Sequence, residues 1–354
     1  MSGSTGASLE KFAFQEKLAH YGRLTAETLN EHLPAGEPYQ YLYGPVRDFI
    51  GSSGKGFRPA LLISTCRAFG GRIEDALISA AALELLHNAF LIHDDIEDES
   101  DFRRGRPCLH HRTGVPLAIN TGDAMQALAL RFLRQNAHDL GPETTARIID
   151  EFDHLLMQAL EGQAMELGWI RDNETAIDPS DYLRMSLKKT CWYSFIHPCR
   201  IGALIARPDD VASGAFDLDR FNAIGFYMGA AFQIQDDVLN LIGSEAKYGK
   251  EIGGDIYEGK RTLMLARLFQ LSTGREHREI SATLNKPRSA RTGKDVVRLT
   301  DLMHQYKCIE FAQAAAQDLI GAAKDEMGRA FADADPEEIT FVDSFIDYLT
   351  TRNV

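Results

Sequence analysis

The sequence predicts a single all-α domain, and three observations predict it. Apolar residues recur every three to four positions over most of the chain, period-two alternation is nearly absent, and no Pro-, Gly- or Ser-rich linker divides its middle. Leu77, Ala80, Ala81, Glu84, Leu85 and Asn88 keep the spacing of an amphipathic helix, as do Ile148, Phe152, Leu155, Leu156, Ala159 and Leu160. The same rhythm predicts helical runs across 182–206, 218–243, 260–273, 297–327 and 336–351. Breakers separate the runs at Gly51 to Gly56, Gly70-Gly71, Gly105 to Pro107, Gly253-Gly254 and Pro287 to Gly293. Residues 283–294, with Lys286, Arg288, Arg291 and Lys294, read as a basic surface loop, and secondarily as a lid over an anionic site. Met1 to Ser8 read as a flexible N-terminus, leaving 9–354 as the helical domain.

The 354 residues, 44% of them hydrophobic, suffice for a sizeable core. A formal net charge of −13 argues against non-specific binding to nucleic acid or to anionic membrane. Any basic cluster is then a local site. Cys66, Cys108, Cys191, Cys199 and Cys308 are scattered, odd in number and without C-x-x-C spacing, as expected of core thiols in a reducing cytosol. Met1 to Ser8 lack the basic-then-apolar pattern of a secretory signal. No run is expected to reach the roughly 18 apolar residues of a membrane span, because Glu84 and His87 interrupt the best stretch. The expectation is a soluble cytoplasmic protein.

The chemistry lies in two stretches that read almost alike, Phe90-Leu91-Ile92-His93-Asp94-Asp95-Ile96-Glu97-Asp98 and Phe232-Gln233-Ile234-Gln235-Asp236-Asp237-Val238-Leu239-Asn240. On helices, Asp94 and Asp98 fall on one face, as do Asp236 and Asn240. Like charges at that spacing destabilise an isolated helix, so their placement after matching apolar positions points to a compensating cation. Carboxylates without a His/Cys cluster favour a hard ion, and Mg²⁺ is the expected one. Cations surround them in sequence. Gly54-Lys55-Gly56-Phe57-Arg58-Pro59 pairs a point charge with a bidentate fork, though without the nucleotide P-loop spacing. Arg103, Arg104, Arg106 and Arg112 follow the first acidic run, Lys188-Lys189-Thr190 opens a helical stretch, and Lys250 and Lys260 flank Gly253-Gly254. A diphosphate and an aspartate pair repel unless divalent ions lie between them, so the pattern describes metal-bridged polyphosphate. The basic clusters at 55/58 and 103/104 then point to a second anion held without metal.

With these motifs the chain resembles a trans-isoprenyl diphosphate synthase of the polyprenyl synthetase family, most like a geranylgeranyl diphosphate synthase, from about Gly54 to about Gly328. Gly54-Lys55-x-x-Arg58-Pro59, His87, Asp94-Asp95-x-x-Asp98, Arg103-Arg104-Gly105, Gly162-Gln163, Lys189-Thr190, Phe232-Gln233-x-x-Asp236-Asp237, Lys250 and Gly259-Lys260 carry the resemblance. It implies a single large helical bundle around a deep central cleft, of the class I isoprenoid synthase type. It implies Mg²⁺ on Asp94, Asp98 and Asp236, as three ions with bound diphosphate, supported by Asp95, Asp237 and Asn240. Arg103, Lys189, Lys250 and Lys260 would grip an allylic diphosphate. Lys55, Arg58, His87 and Arg104 would hold isopentenyl diphosphate. Dipoles at Lys189, Thr190 and Gln233 would stabilise the allylic carbocation, whose attack by the isopentenyl double bond needs no protein nucleophile. A homodimer is the usual assembly of such bundles.

Five positions depart from that pattern: Asn240 where many relatives have Asp, Gly56 where many are basic, Glu166 where Asp is common, and bulky Trp192 and Tyr193 after Lys189-Thr190. Ala89 and Phe90 sit about one turn before Asp94 and are the expected floor of the product tunnel. A medium product follows, geranylgeranyl diphosphate first and farnesyl diphosphate second. The rival readings are a class I terpene cyclase, which has no use for Lys55, Arg58, His87 and Arg104, and a catalytically silent partner subunit, which would lose metal ligands.

Overall fold

The computed structural model describes residues 3–52, 54–243 and 252–351, with side chains described from 12 to 349 within those ranges. Helices dominate, in the order α1 (Gly3–His32), α2 (Gly44–Gly51), α3 (Phe57–Ala68), α4 (Ile73–Glu97), α5 (Leu109–Thr113), α6 (Val115–Leu133), α7 (Gly141–Arg171) and α8 (Pro179–Ser186). A π-helical segment (Leu187–Ile196) runs into α9 (His197–Ala206), followed by α10 (Pro208–Ser213), α11 (Asn222–Ile242) and α12 (Gly254–Glu258). The chain closes with α13 (Leu263–Leu271), α14 (Gly274–Leu284), α15 (Gly293–Gln305), α16 (Cys308–Ala330) and α17 (Pro336–Thr351). The expected run 297–327 is two helices, broken where Lys307 turns left-handed at φ 54°.

The centre is α4. Its Ala- and Leu-rich sequence is apolar on nearly every side, which suits a helix enclosed by others; it packs against α1, α3 and α6. It also corrects an expectation. By length and composition α4 could cross a membrane, Glu84 notwithstanding, but 72% of its apolar window is buried inside the protein. The second central helix, α11, packs on α16 and on the π-helical segment. Glycines set that approach: a Cβ at Gly225 or Gly229 would come within 3.0 Å of Ile196 or Cys191. One apolar core joins α1, α3, α4, α6, α7, α9, α11 and α17, and a second unites α13 to α16 with the C-terminal half of α11.

The only strands among the described residues form a hairpin, β1 (Phe102–Arg103) paired antiparallel with β2 (Arg106–Pro107). Its two-residue turn places Arg104 and Gly105 at φ 53° and 73°, the mirror-image turn that matches strand twist. The hairpin folds Arg103 back onto the end of α4 and is moored to α2 by Asp48, which bonds Arg106 (3.0 Å) and Arg112 (2.6 Å).

Candidate active site

The acids of α4 collect at its C-terminal end, where the helix dipole disfavours negative charge. Asp98 is the C-cap residue, its N–H bonded to the Asp94 carbonyl at 2.8 Å. Asp236 and Asp237 occupy the last turns of α11. The two helix ends open on one cavity of about 600 Å³. Asp94, Asp98 and Asp236 line it, together with Lys55, Arg58, His87, Arg103, Arg104, Lys189, Thr190, Gln233 and Lys260. Residues remote in sequence thus face a shared volume. Lys250 lies outside the described residues.

The neighbours of these carboxylates are spoken for. Asp95 is buried and paired with Arg103 at 2.6 Å, and the carboxylate holds the guanidinium firmly protonated despite its burial. Asp237 is buried too, accepting from Tyr182 Oη (2.7 Å) and Gln233 Nε2 (2.9 Å). Thr190 Oγ1 donates to Gln233 Oε1 (2.7 Å), so one chain of hydrogen bonds orients the amide with its oxygen toward Thr190. Asn240 is buried, its side-chain oxygen accepting the N–H of Asp255 at 3.0 Å and its carbonyl that of Gly253 at 2.7 Å. Its amide braces the chain returning from α11 to α12.

Two lysines stand among the cavity acids. Lys260 Nζ contacts Asp98 (2.7 Å) and Glu258 (2.6 Å), and Lys189 is paired with Glu166. Burial opposes both charges, but the surrounding carboxylates win and hold both ammonium groups well above their usual range. Lys189 sits in the π-helical segment, where a Cβ at Gly162 of α7 would collide with its backbone. An extra residue per turn at such close contact is a frequent device at functional sites.

Arg58 opens a different neighbourhood. It is buried and donates to Ser194 Oγ (3.0 Å), Tyr193 Oη (2.9 Å) and His87 Nε2 (3.1 Å). Burial, then the nearby arginines, push His87 well below its ordinary value, so the ring is neutral. With Nε2 accepting from Arg58, the ring hydrogen resides on Nδ1, a buried donor with no partner among the described residues. Arg104 donates to the Ser52 carbonyl at 3.1 Å, and burial together with Arg103 and Arg58 pushes its guanidinium down from its usual value, partly offset by Glu84. Clustered guanidiniums and an unanswered N–H call for an anion.

The residues fit a hard divalent ion. Among the described residues no three His, Cys, Asp or Glu side chains gather into a cage. Carboxylates instead line a shared cavity from separate helices, the donor set for Mg²⁺, which keeps most of its coordination for water and phosphate.

Ala89 and Phe90 are not among the cavity-lining residues. Ala89 is fully buried, and Phe90 meets Tyr193 edge-on at 5.4 Å. The apolar wall is Leu18, Phe57, Leu91, Tyr193, Phe232, Leu239, Phe345 and Leu349. Sequence reasoning missed the contribution of α17: Tyr348 accepts from Lys55 Nζ at 2.7 Å across 293 positions, and no motif marks it. Arg291, expected on a surface loop, is buried, its guanidinium donating to the carbonyls of Tyr257 and Leu284.

Residues 39–302 match the family model described as polyprenyl synthetase. A geranylgeranyl diphosphate synthase of Sulfolobus acidocaldarius is 32% identical over 294 residues, 83% of this chain and 86% of that one. The crystal structure of geranylgeranyl pyrophosphate synthetase from Pyrococcus horikoshii superposes with a TM-score of 0.83 at 28% identity, covering 96% of this chain and 99% of that one. A geranylgeranyl pyrophosphate synthase from Corynebacterium glutamicum, complexed with isoprenyl diphosphate and magnesium, gives 0.79 at 25% identity over 97% and 99%. Motif, fold and cavity therefore agree, and the chain belongs to the polyprenyl synthetase family.

Proposed function

We propose that this cavity condenses isopentenyl diphosphate head to tail with an allylic diphosphate, giving geranylgeranyl diphosphate, with farnesyl diphosphate as the second product reading. One observation carries the proposal: a single cavity is lined by carboxylates from two helix ends and by the separate cation set of Lys55, Arg58, His87 and Arg104. Asp94, Asp98 and Asp236 would hold Mg²⁺, with three ions per bound diphosphate as our reading of the stoichiometry. Bound there, the metal supplies Lewis acidity toward the departing diphosphate.

The chain's own residues do the rest. Lys189, Lys260 and Arg103 stand beside the acids and grip the allylic diphosphate, with Lys250 assigned to the same task by its motif alone. Arg58 and the Nδ1–H of neutral His87, with Lys55 and Arg104, hold the second diphosphate through charge-assisted hydrogen bonds. The oxygens of Thr190 and Gln233, fixed by their mutual bond and by Asp237, face the carbocation with dipoles that need no reorganisation. Asp95, Asp237 and Asn240 act behind the metal ligands. The aromatic wall excludes water that would trap the cation. Ala89 and Phe90 would tune product length, Phe90 from behind Tyr193.

A terpene cyclase would have no use for the second cation set, and a silent subunit would not keep three carboxylates on one cavity. For assembly we propose a homodimer, supported by Val115, Ile119, Leu130, Met157 and Leu160, which α6 and α7 leave exposed. For localisation we propose the cytoplasm, supported by five buried cysteines that form no disulfide. The test supplies Mg²⁺, labelled isopentenyl diphosphate and each of dimethylallyl, geranyl and farnesyl diphosphate, and sizes the products. Label in a twenty-carbon product supports the reading; allylic diphosphate consumed without label would overturn it in favour of the cyclase.

A further inference from the structure

Residues 285–292 carry the basic stretch that the active site does not absorb. The stretch is anchored at its end: Thr292 caps α15 by accepting and returning hydrogen bonds with Asp295, which also pairs with Lys286 at 2.6 Å. Arg291 then points inward, 8% exposed. Its Nη1 donates to the Tyr257 carbonyl and its Nη2 to the Leu284 carbonyl, both at 2.5 Å. Gly259 makes room for it. With φ at 78°, a Cβ at that position would stand 2.8 Å from Arg291 Nη2.

Arg261 approaches the same loop and is 1% exposed. It donates to the carbonyls of Gly259 and Glu174 (3.1 Å) and to Asn173 Oδ1 (2.8 Å). Burial, and next the charge of Arg291, push its guanidinium down to about 10. Two like charges buried against one short loop repel each other, a cost that the carbonyls and the Asn173 oxygen they bond offset, so the pair fixes the backbone it bonds. The backbone they bond carries Glu258. The clamped carbonyls of Tyr257 and Gly259 flank that residue, and its carboxylate receives Lys260 Nζ at 2.6 Å while Asp98 receives the same ammonium at 2.7 Å.

We propose that Arg291 and Arg261 form a guanidinium clamp on residues 257–259, positioning Lys260 between Glu258 and Asp98 to meet a diphosphate. Both are positioning residues acting through Lys260. The inference rests on the reading of Lys260 as a diphosphate grip.

The test is a double-mutant cycle on binding of inorganic diphosphate in the presence of Mg²⁺, measured by calorimetry on the full chain. Arg291→Lys keeps the charge but cannot bridge two carbonyls with fixed geometry. It should weaken diphosphate binding about ten-fold in the wild-type background, and less than about two-fold once Lys260→Ala is present, the signature of residues sharing one network. In turnover, KM for the allylic diphosphate should rise while KM for isopentenyl diphosphate stays within about two-fold. Equal losses in both backgrounds, or unchanged affinity in a folded Arg291→Lys protein, would overturn the clamp. Should Arg291→Lys fail to fold, Arg261→Lys enters the same cycle, where coupling to Lys260→Ala supports the clamp and equal losses overturn it. Coupled diphosphate binding without any label incorporation in the wild type would sink the condensation reading and leave the clamp standing.

Discussion

The two acidic motifs share the pattern F-x-I-x-D-D-(I/V)-x-(D/N), and the structure treats them differently. In the first, the Asp94 and Asp98 carboxylates both line the cavity, and Asp95 turns away to a buried ion pair with Arg103. In the second, Asp236 alone lines it, Asp237 is buried against two neutral donors, and Asn240 braces the backbone of Asp255. The difference follows from where each helix stops. Helix α4 ends at Glu97, so Asp98 sits just past the last turn, whereas α11 runs on to Ile242 and the returning chain closes over position 240. A shared pattern fixes which residues can face a ligand; the chain that follows decides which do.

The sharpest way to break this comparison is to exchange adjacent acids. Asp94→Ala and Asp236→Ala should each lower kcat/KM by on the order of 10³-fold or more, the loss of several kcal/mol of leaving-group stabilisation. Thermal midpoints should barely move. Asp95→Ala should instead lower the midpoint, because it leaves Arg103, mostly buried at the cavity edge, without its carboxylate, a change worth roughly 3 kcal/mol, the low end for a buried pair. Parallel steady-state kinetics and thermal melts separate the classes. An Asp95→Ala protein of unchanged stability would show that the second acid is not structural.

Much of this was legible in the sequence, and the remainder was not for physical reasons. Periodicity located α4, α7, α11 and α17 but not α1 or α6, and the motif residues Asp94, Asp98, Asp236, Lys55, Arg58 and Lys260 do converge on one cavity. The hairpin escaped because two-residue strands offer no alternation to read. The π-helical segment escaped because Leu187–Ile196 has ordinary helical composition, and its extra residue per turn accompanies contacts with α11 and α7 at Gly229 and Gly162. Arg291 was misplaced because local polarity reads as surface, while its partners, the carbonyls of Tyr257 and Leu284, come from folding. Tyr348 needed a contact 293 residues long.

A smaller effect sharpens the contrast between the paired acids. Burial pushes Asp237 up from 3.8 to about 7, against the hydrogen bonds from Gln233 and Tyr182 that favour its charged form. A carboxyl that binds its proton more tightly when folded contributes stability that is full below the unfolded value and is lost as pH rises through the folded one. Metal-free protein in chelator should therefore lose stability between about pH 4 and about pH 7 and then level off. Asp237→Asn should remove that component of the slope, a few °C between melts at about pH 5 and about pH 8. Identical slopes in the two proteins would mean the buried carboxyl stays ionised throughout.

The smallest effect bears on the fifth position of the D-D-x-x-(D/N) pattern, Asp98 in the first motif and Asn240 in the second. If the second motif failed to present its fifth residue merely for want of a charge, Asn240→Asp would recruit a new ligand and tighten Mg²⁺. The structure argues otherwise. The side-chain oxygen of Asn240 is committed to the Asp255 N–H, and position 240 is only 4% exposed. A carboxylate could accept the same bond but would bring a second buried charge next to Asp255, so the expected result is a midpoint lower by about a degree or two, with Mg²⁺ affinity changed less than about two-fold. Titration of Mg²⁺ with inorganic diphosphate present reads the affinity directly. Tightening of about ten-fold would place residue 240 at the ion, and the asymmetry would then reside in the amino acid and not in the path of the chain.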